Sequence, residues 1–161
     1  MTDGPDLRQA VPTDQPHLLI WDDANAIELR SFCNEVNADY INYRDDLLQR
    51  VSKTDNFLVL DRYIDREIHR IRELCRNSPS GVVLLHEMEA LIAYLASRPG
   101  KKINLFWDRL MRTRHLDAIA WIVLPSACKP PNWPNERIRI IRSVASIGIV
   151  HGPVERNCQN Q

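Results

Sequence analysis

HLLIWDDANAIEL, residues 17–29, contains the transition that decides the fold. Its apolar run, residues 18–21, has the composition of a buried strand. Leu29, Phe32, Cys33 and Val36 then follow at the i, i+3, i+4 and i+7 spacing of one helix face. A buried strand that leads into an amphipathic helix is the repeating unit of a parallel sheet. The stretch therefore predicts an α/β fold.

The same succession of strand and helix recurs along the chain. Further strand-like runs lie at 38–43, 82–85, 118–124 and 137–141, and helix-like apolar stripes at 47–51, 57–75, 88–95 and 103–111. Nearly continuous apolar strands are typical of a parallel sheet covered on both faces. We therefore expect a three-layer α/β sandwich with a mainly parallel sheet. The expected division is a flexible N-terminal lead-in (1–16), a single domain (17–150), in which 144–150 extend or pair with the last strand, and a C-terminal tail (151–161).

Composition narrows the classes of function. The chain has 161 residues with 21 basic and 21 acidic side chains, so its formal net charge is zero, whereas a general nucleic-acid coat protein would be basic. Its four cysteines form no CxxC pair, which argues against a zinc ribbon and a disulfide scaffold. No apolar run reaches the length of a membrane span. We expect a cytoplasmic protein without membrane association, metal or cofactor.

The segment after Trp21 corresponds in place to the phosphate-loop pattern GxxxxGK[ST], but its residues differ. The matching positions are Asp22, Ile27, Glu28 and Leu29. Glycine lets backbone amides close around phosphate, lysine neutralises the phosphate charge, and the hydroxyl residue holds magnesium. Carboxylates at a helix N-terminus stabilise the helix dipole and repel phosphate. The segment is thus either an acidic helix start without a ligand or, with Asp23, part of an acidic metal site.

A second constellation is VVLLHEMEA, residues 82–90. A Walker B site needs an acidic pair at the end of a buried strand, and here His86 and Glu87 occupy those two places. Imidazole is a poor magnesium ligand, because that ion prefers oxygen. The alternative is that both are polar residues at the exposed end of a strand, with Glu89 on a solvated helix face.

The stretches "ADYINYRDDLLQRV", "GVVLLHEMEALI" and "LFWDRLMRTRHLDAIAWIVLP", together with the first strand, resemble P-loop NTPases of the additional-strand type. More narrowly, they resemble the small P-loop proteins of type 3 BREX phage-defence systems over about residues 17–125. The resemblance implies a P-loop NTPase-like fold in which the phosphate loop is lost, and a defence setting. It does not imply ATPase activity, because Asp22, Ile27, Glu28, Leu29 and His86 all depart from the family pattern.

Two functions of different class follow. The first is a non-catalytic, P-loop-like interaction or scaffold subunit of a bacterial multi-protein system. The alternative is a metal-dependent nuclease of PIN or NYN type that uses Asp22, Asp23 and Glu87. The geometry of the sheet discriminates between them, because Asp39 is expected to begin its strand and to lie at the opposite edge from those carboxylates.

Two stretches are candidate binding surfaces. The proline-rich loop 125–136 contains Trp133, which is either a cap on the core or an exposed binding anchor. We expect this loop to dock a larger protein or a second copy of the chain. Arg137 and Arg139 would then form a charged rim around the contact. The basic helix end is the other candidate, through which a local patch would contact nucleic acid. Its residues are Arg109, Arg112 and Arg114.

Overall fold

A computed structural model describes residues 6–52 and 64–142. In chain order the elements are β1 (His17–Trp21), α1 (Ala26–Val36), β2 (Asp39–Asn42), α2 (Tyr43–Ser52), α3 (Ile64–Arg76), β3 (Val82–His86), α4 (Glu89–Ala96), α5 (Lys102–Met111), β4 (Ile119–Leu124) and β5 (Ile138–Ile141). All five predicted strands are found within one or two residues of their expected bounds. The start of the predicted long helix before Ile64, the expected pairing of 144–150 and the tail 151–161 lie outside the described residues.

The five strands form one parallel sheet in the order β2-β3-β4-β1-β5. Strand β1 pairs with β4 on one side and with the edge strand β5 on the other, so Leu18 lies beside both Ile122 and Ile138. Strand β4, although late in the chain, lies between β1 and β3. The carboxyl ends of β1, β3 and β4 therefore meet at one edge of the sheet.

Helices cover both faces of the sheet, because alternate strand residues point to opposite faces. One face, which includes Leu18, Leu85 and Ile122, packs against α2, α3, α4 and α5. The opposite face, which includes Leu19 and Trp121, packs against α1. The predicted three-layer α/β arrangement is confirmed at this level, and the sheet is parallel throughout.

The N-terminal segment 6–16 packs on the α1 side of the sheet, a contact that the expected division into lead-in and domain did not include. Leu7 and Ala10 are buried in the same cluster as Trp121. Trp121 Nε1 donates a hydrogen bond to the carbonyl of Leu7 at 2.9 Å. Arg139 donates to the carbonyls of Asp6 and Gln9. The segment thus covers apolar surface that α1 leaves open.

This packing predicts an effect of mutation close to the N-terminus. Leu7→Ala is expected to destabilise the domain by about 2 kcal/mol, because it removes a buried side chain and leaves a cavity. The loss corresponds to a fall of roughly 4–8 °C in the thermal midpoint for a domain of this size. Val11→Ala is the control, because Val11 lies in the same segment but is 78% exposed. Equal midpoints for the two variants would contradict the packing in solution.

No helix in residues 6–52 and 64–142 has the length and apolarity that crossing a bilayer requires.

Candidate functional site

The loops after β1 and β4 are joined at the carboxyl edge of the sheet, where ligands bind in open parallel sheets. Asp22, the first residue after β1, accepts hydrogen bonds through Oδ1 from the backbone N and the Oγ of Ser126, both at 2.7 Å. These hydrogen bonds lower the pKa of the Asp22 carboxyl, and the bond from the Ser126 backbone contributes more than the bond from its hydroxyl. Asp22 therefore connects two loops through its own hydrogen bonds.

The N-terminus of α1 is capped by its own side chains. Four residues, 22–25, separate β1 from α1. Asn25 Oδ1 accepts from the backbone N of Glu28 at 2.9 Å, and Asn25 Nδ2 donates to Glu28 Oε2 at 3.2 Å. Ile27 is 84% exposed, whereas Leu29 is fully buried in the core. Where a phosphate loop presents free amides, a side-chain cap uses one of them.

His86 departs from its sequence-based interpretation. We expected a polar residue at the exposed end of its strand, but His86 is only 5% exposed. Its Nδ1 lies 2.8 Å from Tyr40 Oη on the neighbouring strand β2, which satisfies the buried ring. Glu87, the next residue, has the left-handed backbone conformation, with φ at 64°. This conformation is uncommon for a residue other than glycine.

Glu89 also differs from the expected solvated residue. It is half-buried at the start of α4, and its Oε2 is buried with no hydrogen-bond partner in the part of the chain described. Cys128, in the loop after β4, has a raised pKa because of burial and of the Glu89 charge.

The carboxylates of the nuclease interpretation do not form a metal centre. In residues 6–52 and 64–142, no three His, Cys, Asp or Glu side chains lie close enough to hold a metal ion. Asp39 begins β2 and accepts hydrogen bonds from the hydroxyls of Ser78 and Ser80, which precede β3. It therefore lies at the opposite edge of the sheet from Asp22, Asp23 and Glu87, as the strand pattern predicted.

The buried thiols are poor nucleophiles. Cys33 and Cys75 are free and buried. Burial is the main cause that raises the pKa of Cys33 to about 11 and that of Cys75 to about 12. Because the thiolate is the reactive form, these two residues are core side chains at neutral pH.

Trp133 caps the core. The docking hypothesis required an exposed indole, and that expectation is wrong. Its side chain is 5% exposed and belongs to the cluster beneath α5. The ring packs edge to face on Trp107, with 6.3 Å between centroids, and the Arg137 guanidinium lies 5.2 Å from its centroid. The proline-rich loop folds back over α5, because burial of the indole against Trp107 stabilises this path.

The two arginines expected to rim a partner surface bind their own chain instead. Arg137 is buried and donates to Gln15 Oε1 at 2.6 Å and to the Met111 carbonyl at 3.0 Å. Burial lowers the pKa of Arg137. Arg139 binds the N-terminal segment, as described above. Both are used within the domain, which corrects their assignment as an exposed partner rim.

Two arginines of the predicted basic patch have acidic neighbours. Arg109 forms an ion pair with Asp65, and Arg112 pairs with Asp108 at 3.0 Å. Arg114 is exposed, and its carbonyl accepts from Arg72. These pairs reduce the positive charge of the helix end, and contact with nucleic acid stays a prediction.

A buried ionic cluster between α2 and α3 was missed. Glu67 is 1% exposed, and Arg50 Nη1 and Nη2 donate to its two carboxylate oxygens, each at 2.9 Å. The Tyr43 hydroxyl donates to Glu67 Oε2, and Asp46 accepts from both Arg50 and Arg70. A sequence signal exists, because Glu67 lies three residues after Ile64 and so falls on the apolar face of the 57–75 stripe.

The described residues form an α/β fold with a five-stranded parallel sheet. No family model, no curated protein and no solved structure matches the chain.

Proposed function

We propose that the chain is a non-catalytic, P-loop-like protein that acts as an interaction or scaffold subunit of a bacterial multi-protein system, in the anti-phage defence setting that its resemblance implies. The observation that carries the proposal is the cap at α1. Asn25 and Glu28 close the helix start with two mutual hydrogen bonds, and Glu28 stands where the phosphate-loop pattern has lysine.

The order of the strands supports the P-loop-like part of the proposal. Strand β4 lies between β1 and β3, as an additional strand would. The loop after β1 and the end of β3 thereby lie on the same side of the sheet as in the proteins that the sequence resembles. This supports kinship of fold, while the residues at those places differ in chemistry.

Charge and loop length support the absence of catalysis. Asp22, Asp23 and Glu28 carry three carboxylates within the first loop and turn, which repel a polyphosphate. The loop of four residues contains no glycine to bring its amides around a phosphate group. Neither charge neutralisation nor a backbone cradle is available there.

The full chain is therefore expected to bind Mg-ATP and Mg-GTP no tighter than about 1 mM in isothermal titration. Glu28→Lys alone is expected to leave this unchanged, because it restores a charge without the glycine loop. A dissociation constant in the low micromolar range for the native chain would contradict the proposal.

The interaction role further requires that native affinity purification recovers a stoichiometric partner or a defined oligomer. Recovery of a free monomer alone would contradict the interaction role.

A further inference from the structure

Strand β2 forms one edge of the sheet. It pairs with β3 along one side, and within the described residues no strand pairs along the other. All four residues of β2 are half-buried, whereas those of β3 are buried. In a parallel ladder, alternate backbone N–H and C=O groups point away from the paired neighbour, so an edge strand can accept a further strand.

A groove runs along this edge between α1 and α2. Its volume is about 650 Å³, and it is largely open to solvent. Strand β2 lines the groove together with residues of the two helices, which are Arg30, Cys33, Asn34, Asp45, Asp46 and Gln49. The groove thus combines the unpaired backbone edge of β2 with side chains of α1 and α2 on its two sides.

Negative charge lies toward both ends of the groove. Asp39 begins β2, and hydrogen bonds from Ser78 and Ser80 lower the pKa of its carboxyl against the opposing effect of burial. Asp45 is exposed just beyond the other end of the strand. Arg30 lies between them with its guanidinium 5.1 Å from the centroid of the Tyr40 ring. Asp46 is paired with Arg50 and Arg70, so Asp39 and Asp45 carry the charge that a ligand meets.

We propose that an extended segment of another protein, with Lys or Arg toward both of its ends, adds to β2 as a sixth strand in this groove. Backbone hydrogen bonds supply affinity in strand addition, and side chains supply selectivity. The inference rests on the proposed interaction function and names the kind of partner. A second copy fits less well, because antiparallel pairing of two β2 strands about a two-fold axis places Asp45 of one copy beside Asp39 of the other.

A random dodecapeptide library displayed on phage and selected on the full chain tests the chemistry of the partner. Selected peptides are expected to carry Lys or Arg flanking a short run of β-branched residues. Asp45→Lys should weaken a selected synthetic peptide at least fivefold. Asp23→Lys, which changes an exposed aspartate of the first loop in the same way, should leave its affinity unchanged. Recovery of only acidic or proline-rich binders, or of none, would overturn the proposal.

Selective N-methylation of the same peptide tests the strand geometry. Methylating every second amide in one frame is expected to weaken binding at least tenfold, while methylation in the alternate frame has little effect, because one row of amides faces β2. Bound peptide should also slow amide exchange at residues 39–42. Equal loss in both frames, or a dimer that Asp45→Lys dissociates, would overturn the proposal. Nucleotide binding at micromolar concentration would refute the proposed function and leave this result standing.

Discussion

Trp133→Ala is expected to destabilise the domain by about 3–5 kcal/mol, the cost of truncating a buried aromatic side chain. The indole is 5% exposed, packs edge to face on Trp107, and lies beside the buried Arg137 guanidinium. Its removal leaves a cavity between the loop and α5 and withdraws the ring that Arg137 contacts. Urea unfolding followed by circular dichroism measures the loss as a lower midpoint.

The matched control for this prediction is Trp133→Phe. Trp133 Nε1 is buried with no hydrogen-bond partner among the residues described, so phenylalanine removes an unsatisfied N–H group while keeping most of the ring packing. It should cost clearly less than the alanine change. An unchanged midpoint for Trp133→Ala would show instead that the indole is exposed in solution and available to a partner.

Glu67→Ala is expected to destabilise the domain by about 3 kcal/mol, because it leaves the buried Tyr43 hydroxyl without an acceptor and leaves the half-buried Arg50 with Asp46 as its remaining ion-pair partner. Arg50 would lose both hydrogen bonds to the carboxylate, and the buried Tyr43 hydroxyl would lose its acceptor. The cluster joins α2 to α3, so the loss falls on the packing of both helices against the sheet.

Two controls separate the buried cluster from ordinary surface charge. Asp65→Ala removes an ion pair with Arg109 whose side chains are 80% and 42% exposed, and exposed pairs contribute about 0–1 kcal/mol. Tyr43→Phe removes a single hydrogen bond from the same site. Equal effects of Glu67→Ala and Asp65→Ala on the urea midpoint would contradict a stabilising role of the buried cluster.

The pH dependence of the same cluster provides a second readout. Burial opposes ionisation of Asp46, but hydrogen bonds and charges from Arg70 and Arg50 outweigh it and lower the pKa of its carboxyl below 3.8. A folded-state pKa below the unfolded value adds stability that is present above the unfolded pKa and is lost as pH falls through the folded one. Asp46→Asn should therefore reduce the loss of stability below about pH 4.

The strands and helices were predictable because their signals are local. Continuous apolar runs identified β1, β3 and β4, shorter runs that mix apolar and polar residues identified β2 and β5, and the 3.6-residue stripes identified the helices. The loop after β1 was predictable in part. The sequence placed Asp22, Asp23 and Glu28 at the helix N-terminus, but α1 begins at Ala26 with Asn25 as its cap, so only Glu28 lies in the first turn. The same local chemistry supports the expectation that this loop holds no phosphate.

The candidate site was predicted less well, because its side chains depend on neighbours that are distant in sequence. His86 is buried because Tyr40, 46 residues away, lies on the next strand. The Asp22 carboxylate accepts a hydrogen bond from Ser126, 104 residues away, because the loop after β4 lies beside the loop after β1. Composition and spacing carry no information about such partners, since the order of the strands decides them.

The sequence by itself determined the α/β class, the bounds of the strands and the absence of glycine and lysine from the first loop. Only the tertiary structure decided that Trp133 and Arg137 are interior residues, that segment 6–16 covers the sheet, and that Glu67 is buried with a partner. The physical reason is the range of the forces. Backbone preference and periodicity act within a few residues, whereas burial of an indole or a carboxylate depends on the surfaces that folding brings together.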